Sequence, residues 1–424
     1  MKRYSEYKDS GVKWIGEIPG HWKIMRLRAY LSMYSEKNHP DKQLLSVTRE
    51  SGVIVRNTES KEENHNYIPD DLSGYKLVRI GDFAINKMKS WQGSYGVSNF
   101  EGIVSPAYYV CKLKFPYKDF FSNAIRCKAY IPFFTQYSKG IRVDQWDLSP
   151  IALKNIPFFE PPLPEQEAIV TYLDSKVAKI DEYISIAEKK IAALEELKQT
   201  IIAEAVTRGI HKDVPMKDSG VKWIGMIPEH WKMNSLRSYV KLYSEKNHPE
   251  KQLLSVTREM GVIVRNTESK EENHNFIPDD LSGYKLVRKG DFVINKMKSW
   301  QGSYGVSKYE GIVSPAYYVC KLKFPYNDFF SIAIRCKSYV PFFTQYSKGI
   351  RVDQWDLSPI ALKNIPFMEP PITEQQEIVT YIEAKAAKID QLCQAERSQI
   401  EKLKEYKQRL ISDVVTGKVK VTND

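Results

Sequence analysis

From Glu165 to Val206 the chain contains neither Gly nor Pro. Its apolar residues fall at Leu173, Val177, Ile180, Ile184, Ala187, Ile191, Leu194, Ile201 and Ala205, at spacings alternating four and three that pass over Lys198. This is the a/d seam of a coiled coil. A second seam runs through Ile382, Ala386, Ile389, Cys393, Ile400, Leu403, Leu410 and Val414, broken at Glu396 and Lys407. Pro164 suits a first helical turn, and Thr373 with Gln376 has the spacing of a capping box. Gly209 and Gly417 close the two helices. The pattern places helices at 163–208 and 372–416, with a tail at 417–424; forty-odd helical residues span about 60 Å.

The segments ahead of the helices, 1–162 and 209–371, are patterned differently. Short apolar runs such as Gly52–Val55 and Tyr108–Leu113 lie between turn residues and predict strands, while Phe120–Ile125 predicts a short helix. Each segment is a mixed α/β domain of about 150 residues.

The two halves are one unit written twice. Lys8–Gly16 returns as Lys217–Gly225 (217 − 8 = 209), and Ser35–Pro40 and Ser105–Tyr109 return at the same offset. The period is far longer than a solenoid repeat of roughly 20–50 residues. A long helix must cover its apolar stripe, and the other helix is the obvious cover. The expected fold is therefore two duplicated α/β (α+β) domains joined by two long antiparallel coiled-coil helices with pseudo-twofold symmetry, the C-terminus returning to the first domain. The domains have diverged little: between Ser35 and Phe83 about four positions differ from their mates, whereas roughly half differ in the helices.

The chain has 424 residues and a net charge of +11, an excess that points to a polyanionic partner, most commonly nucleic acid. No apolar run approaches a membrane span, and no secretory signal is visible. Five cysteines without C-x-x-C predict reduced thiols in the cytoplasm.

Catalytic motifs are missing: there is no G-x-G-x-x-G, Walker loop or H-E-x-x-H. Asn155-Ile156-Pro157-Phe158 is only faintly like an amino-methyltransferase signature, and Glu59-Ser60-Lys61 is half of a nuclease motif with Pro69-Asp70 on the wrong side. The histidines lack metal-ligand spacing. No catalytic residue, metal or cofactor is expected, and the chain reads as a binding protein.

Three repeated stretches suit a DNA surface. Asn86–Gly96 and Asn295–Gly305 mix basic, aromatic, amide and glycine residues. Here Lys87, Lys89, Trp91, Gln92, Ser94 and Tyr95, with Lys296, Lys298, Trp300, Gln301, Ser303 and Tyr304, are candidates, lysine for phosphates and glutamine for adenine. Lys139–Trp146 and Lys348–Trp355 offer Arg142 and Gln145, Arg351 and Gln354 as base readers, with Trp146 in the core. The third pair supplies Arg49, Arg56 and Asn57, and Arg258, Arg265 and Asn266, for phosphates or guanines.

These residues resemble the specificity subunits of type I restriction–modification systems along essentially the whole chain. The carriers are Trp14–Pro19 with His21-Trp22, Gly102–Tyr108, and Pro161-Pro162-Leu163-Pro164-Glu165-Gln166 running into the long helix, each repeated in the second half. The resemblance implies two target recognition domains, each reading half of a bipartite duplex DNA site, and spacer helices that fix the gap and dock two modification subunits. Those partners bring S-adenosylmethionine and methylate adenine N6; restriction subunits, with ATP and Mg, join them. The chain itself would catalyse nothing. Family members commonly carry dissimilar domains; here the near-duplicate domains imply an inverted repeat with a fixed gap. The alternative is a stand-alone DNA-binding regulator reading an inverted repeat.

Overall fold

The structure is a computed structural model that describes residues 2–57, 68–140, 146–266, 277–349 and 355–421. It divides into two compact units, Met1–Ala187 with Ser398–Asp424, and Glu188–Arg397. Both long helices are therefore shared between units, and the C-terminal segment belongs with the first domain.

In the first unit, strands β1 (Tyr7–Asp9) and β2 (Glu17–Pro19) form an opening hairpin. β3 (Lys23–Arg26) pairs with the last strand of the domain, β14 (Pro157–Glu160), which returns the chain to its start before the long helix begins. The central antiparallel sheet has the order β4 (Leu31–Tyr34), β11 (Tyr108–Leu113), β8 (Phe83–Asn86), β9 (Tyr95–Val97). A hairpin of β5 (Leu45–Thr48) and β6 (Gly52–Val55) and a pair of β7 (Lys76–Val78) with β10 (Gly102–Val104) complete one side. β12 (Ser138–Lys139) pairs with β13 (Asp147–Leu148). Helices α1 (Lys118–Arg126), α2 (Ile131–Tyr137) and α3 (Pro150–Asn155) lie between strands. The predicted strands at 52–55 and 108–113 and the short helix around 120–125 are thus present.

Aromatic residues fill the core. Phe83, Phe120, Phe121, Tyr130, Phe134 and Phe158 are buried together, and Tyr95 stacks on Phe134 with ring centroids 3.8 Å apart. A smaller aliphatic cluster of Leu45, Val47, Val53, Val78, Val104 and Val110 holds the β5–β6 hairpin onto the sheet. Alternation explains the hairpin: Leu45, Val47 and Val53 share the inward face, while Ser46 and Thr48 lie on the opposite one. The second unit repeats this arrangement, strand for strand, from β15 (Met216–Asp218) to β28 (Pro366–Glu369), with its own aromatic and aliphatic clusters.

The long helices are α4 (Leu163–Arg208) and α8 (Ile372–Val415). Every predicted seam position in both is buried or half-buried. The seam breakers are ion-paired with the opposite helix. In the second unit Lys198 meets Asp390 at 2.7 Å and Lys190 meets Glu396 at 2.5 Å, and in the first Lys407 meets Asp181 at 2.7 Å. In the second unit rising numbers on one helix meet falling numbers on the other, so there the segments run antiparallel.

One expectation is corrected. α8 begins at Ile372, so Thr373 sits inside its first turn instead of at the cap. The backbone there is met by Pro371, whose carbonyl accepts from Gln375 N at 2.9 Å, and the Gln375 side chain donates to Pro370 O at 2.8 Å. Gln166 does the same to Pro161 O.

The helix entrance explains two of the repeated motifs. Glu165, buried in the first turn of α4, accepts from His21 Nε2 at 2.8 Å and from Trp22 Nε1 at 3.2 Å, and also from the Tyr4 hydroxyl. Glu374 repeats this with His230 at 2.7 Å and Trp231 at 3.0 Å. A buried carboxylate with charge-assisted donors is satisfied, and it pins the domain's opening segment to its helix. The far ends of the helices close on the same clusters. Gly417, after α8, packs on Pro19 and Trp22, and Gly209, after α4, packs on Trp231 and Glu374. Both have positive φ, +76° and +74°. Beyond Gly417, Lys420 N donates to Lys2 O at 3.0 Å, and Val419 is buried in the first unit's core.

Candidate nucleic-acid interface

The stretch Asn86–Gly96 leaves the end of β8, turns, and re-enters the sheet as β9. That path sorts its residues. Lys89 is exposed and Gln92 half-buried; Lys87 is ion-paired with Asp147 at 3.2 Å. Trp91 is half-buried, donates from Nε1 to Met88 O at 3.2 Å, and packs on Trp146 at 5.5 Å. Ser94 and Tyr95 are buried, because Tyr95 pairs with Ile85 in the sheet and stacks in the core. The second unit matches. Lys298 and Gln301 are exposed, Lys296 pairs with Asp356 at 3.1 Å, Trp300 packs on Trp355, and Ser303 and Tyr304 are buried. In this conformation the four buried residues present no surface to a duplex.

Arg49 and Arg258 are exposed at the tips of the β5–β6 hairpin and its mate, β19 (Leu254–Thr257) with β20 (Gly261–Val264). Arg56 and Arg265 are half-buried at the hairpin bases, with Asn57 and Asn266 exposed beside them. Arg142, Gln145, Arg351 and Gln354 lie outside the described residues, as does Glu59-Ser60-Lys61.

Two features went unread in the sequence. The first is Arg126. Its guanidinium donates to Tyr95 O at 2.5 Å, Arg49 O at 3.0 Å and Glu50 O at 2.8 Å. Arg335 makes the same contacts with Tyr304, Arg258 and Glu259 at 2.7, 3.0 and 2.8 Å. Burial lowers the pKa of both guanidiniums, with desolvation the largest cause. Three carbonyl acceptors hold each hairpin tip in place. The second feature is a basic cluster. Lys76 donates to Tyr108 O at 2.7 Å, and its pKa is lowered by burial and then by the positive charges of Lys37 and Lys87. Arg56 lies close enough to act on the Tyr108 hydroxyl, which accepts from Asn86 Nδ2 at 3.2 Å. The second unit matches: Lys285 donates to Tyr317 O at 2.7 Å, its pKa is lowered by burial and then by the charges of Lys246 and Lys296, and Arg265 acts on the Tyr317 hydroxyl. Lys87 and Lys296 are paired with Asp147 and Asp356; the positive charge beyond those pairs is self-repelling, and a bound polyanion relieves that repulsion. The signal in the sequence was there, but Lys37 and Lys76 are 39 residues apart (76 − 37 = 39) and only the fold joins them.

In the second unit a groove of ≈ 1530 Å³ runs between the domain and its helices. Arg258, Met260 and Gln301 line one wall, and Glu195, Glu196 and Lys198 the other. Among the described residues no cluster of His, Cys, Asp and Glu could hold a metal, and no helix is long and apolar enough to cross a membrane.

An antiparallel sheet domain followed by a long helix, twice over, is the fold of a chain solved in a study of complex assembly and conformational transition in a type I restriction–modification system. The TM-score is 0.63 at 15% identity, covering 94% of this chain and 98% of that one. The specificity subunit of the type I restriction enzyme MjaVIII from Methanocaldococcus jannaschii is 23% identical over 444 residues, which is 98% of either protein. The chain is thus a homologue, end to end, of a type I restriction specificity subunit, a non-catalytic class of protein. The crystal structure of the specificity subunit from Thermoanaerobacter tengcongensis aligns over 95% of this chain with 15% identity and a TM-score of 0.47. No family model matches the chain.

Proposed function

We propose that the chain is the DNA-reading subunit of a type I restriction–modification complex. Each domain takes one half of a bipartite duplex site, and the helices set the gap and dock two adenine-N6 methyltransferase subunits, through which restriction subunits join. The observation that carries this reading is the repeated basic cluster of Lys37, Arg56, Lys76 and Lys87, and of Lys246, Arg265, Lys285 and Lys296. It supplies the sequence-independent attraction to phosphates on which DNA affinity rests. To this reading we add base contacts by Arg49 and Arg258 at the hairpin tips and by Lys89, Gln92, Lys298 and Gln301 on the adjoining turns. S-adenosylmethionine, ATP and Mg belong to the partner subunits.

Because the domains are near duplicates, the target is an inverted repeat around a fixed gap. Methylome sequencing of cells carrying the complete methyltransferase tests this. A methylated motif with two closely matching halves is expected, and unrelated halves would refute it. Lengthening α4 and α8 by one heptad each should lengthen the preferred gap; an unchanged gap with full activity would refute the spacer role.

A further inference from the structure

The two domains are alike on the basic cluster and unlike at the hairpin tip. Lys37, Arg56, Lys76, Lys87, Asn86 and Tyr108 all recur unchanged 209 residues later, whereas Ser51 becomes Met260. Ser51 and Met260 follow Arg49-Glu50 and Arg258-Glu259 and precede the glycine that opens the return strand. Met260 is 69% exposed on the open groove wall that faces Glu195, Glu196 and Lys198, an unusual place for a large thioether, since core packing does not cover it. Its backbone is not loose: Arg335 ties the carbonyls of Arg258 and Glu259 to the sheet at Tyr304. The hairpin runs from the basic cluster at Arg265 to this tip, four residues at about 3.3 Å each or roughly 13 Å. A two-stranded ribbon of these dimensions fits the major groove, its base resting on phosphates and its tip on base edges. An apolar side chain at the tip recognises the one apolar feature a base pair shows there, the thymine methyl. A serine hydroxyl hydrogen-bonds to several bases and selects little.

We propose that Met260 packs against a thymine methyl in the second half-site, and that Ser51 makes no such contact in the first. This rests on the DNA-reading function proposed above. The target is then an inverted repeat with one position at which the second half is stricter than the first. Burying one methyl contributes ~0.8 kcal/mol, a preference of about fourfold.

The test uses the complete methyltransferase assembled with the wild-type chain, with Met260→Ser or with Ser51→Met. Initial methylation rates are read across duplexes randomised in both half-sites. Each substitution installs the residue its repeat mate already carries on the same hairpin, so folding is provided for. The wild-type complex should favour thymine about fourfold at one position of the second half-site only. Deoxyuridine there should remove the preference, since it lacks the methyl. Met260→Ser should level the two halves, and Ser51→Met should install the preference in the first. The assignment of Met260 is overturned if Met260→Ser leaves both base preferences as in wild type, or stops methylation altogether. A wild-type complex that methylates without any bipartite specificity overturns the DNA-reading function as well.

Discussion

Lys198 Nζ lies 2.7 Å from Asp390 Oδ2, and the same pair recurs 209 residues away as Lys407 and Asp181, again at 2.7 Å. Each lysine occupies a seam position of its helix, where the heptad asks for an apolar side chain, and reaches a carboxylate on the opposite helix. A polar residue at a seam position fixes register at some cost in stability. Replacing Lys198 or Lys407 by Leu extends the apolar seam. Each change should raise stability by about 1 kcal/mol, below the full burial value because the site is part-exposed. Urea unfolding measures it, and a lowered midpoint would contradict the seam assignment.

Glu165 serves Tyr4, His21 and Trp22, while Glu374 serves His230 and Trp231 but has no counterpart of Tyr4, since position 213 is Asp. Glu165→Ala strands the indole N–H of Trp22, which is fully buried, and should cost about 2–3 kcal/mol. Glu374→Ala should cost less by about one hydrogen bond, roughly 1 kcal/mol. Hydrogen exchange resolves the effect by unit: protection should fall around β1 and β2 in the first variant and around their mates in the second.

The helices, their seams and most strands are legible locally, because periods of 3.5 and 2 are properties of neighbouring residues. The Thr373 cap misreads for a related reason: Pro371 sets the helix start two residues earlier than the threonine signal. Long-range partners are not legible. The sequence marks His21-Trp22 and Glu165-Gln166 as motifs, but only the pairing of β3 with β14 brings them together. Within Asn86–Gly96 composition treats all residues alike, whereas the ladder from Ile85 to Tyr95 decides that Ser94 and Tyr95 turn inward.

All five cysteines are buried. Burial pushes the Cys127 and Cys336 thiols up to about 11, and Cys111 and Cys320 up to about 12, from an ordinary value near 9. A raised folded pKa means that the folded state keeps its protons longer than the unfolded chain. The associated stability is complete below pH 9 and lost as pH climbs to 11–12. Native protein at pH 8 should therefore show almost no reaction with a thiol-specific disulfide reagent, and all five thiols should react after unfolding. The urea midpoint should fall from pH 9 upward; a midpoint flat to pH 11 would contradict the burial.

Gly417→Ala and Gly209→Ala test the helix ends. Both positions have positive φ, which costs a β-carbon about 1 kcal/mol or more. At Gly417 the added carbon also collides with the Pro19 ring, a closer clash than at Gly209, where it meets the Glu374 carboxylate at 2.8 Å and Trp231 at 3.3 Å. Gly417→Ala should be the more damaging of the two and should lower protection in the first unit alone. Equal effects would show that the closing turn on Pro19 and Trp22 adds nothing.

Salt dependence isolates the basic clusters from base reading. A lysine that neutralises one phosphate adds about 0.9 to the slope of log K against log salt, whatever the sequence bound. Lys37 and Lys246 are exposed members of the two clusters, so their removal leaves the core untouched. Lys37→Ala and Lys246→Ala should each lower the slope by about 0.9, and the double variant by about 1.8, on specific and random duplexes alike. The near identity of the domains makes the two single effects equal. Arg49→Ala and Arg258→Ala should behave differently, weakening the specific duplex by about 1–3 kcal/mol each and the random one far less. Electrophoretic shifts titrated from low to physiological salt measure both. An unchanged slope in the double lysine variant would remove the clusters from the DNA surface.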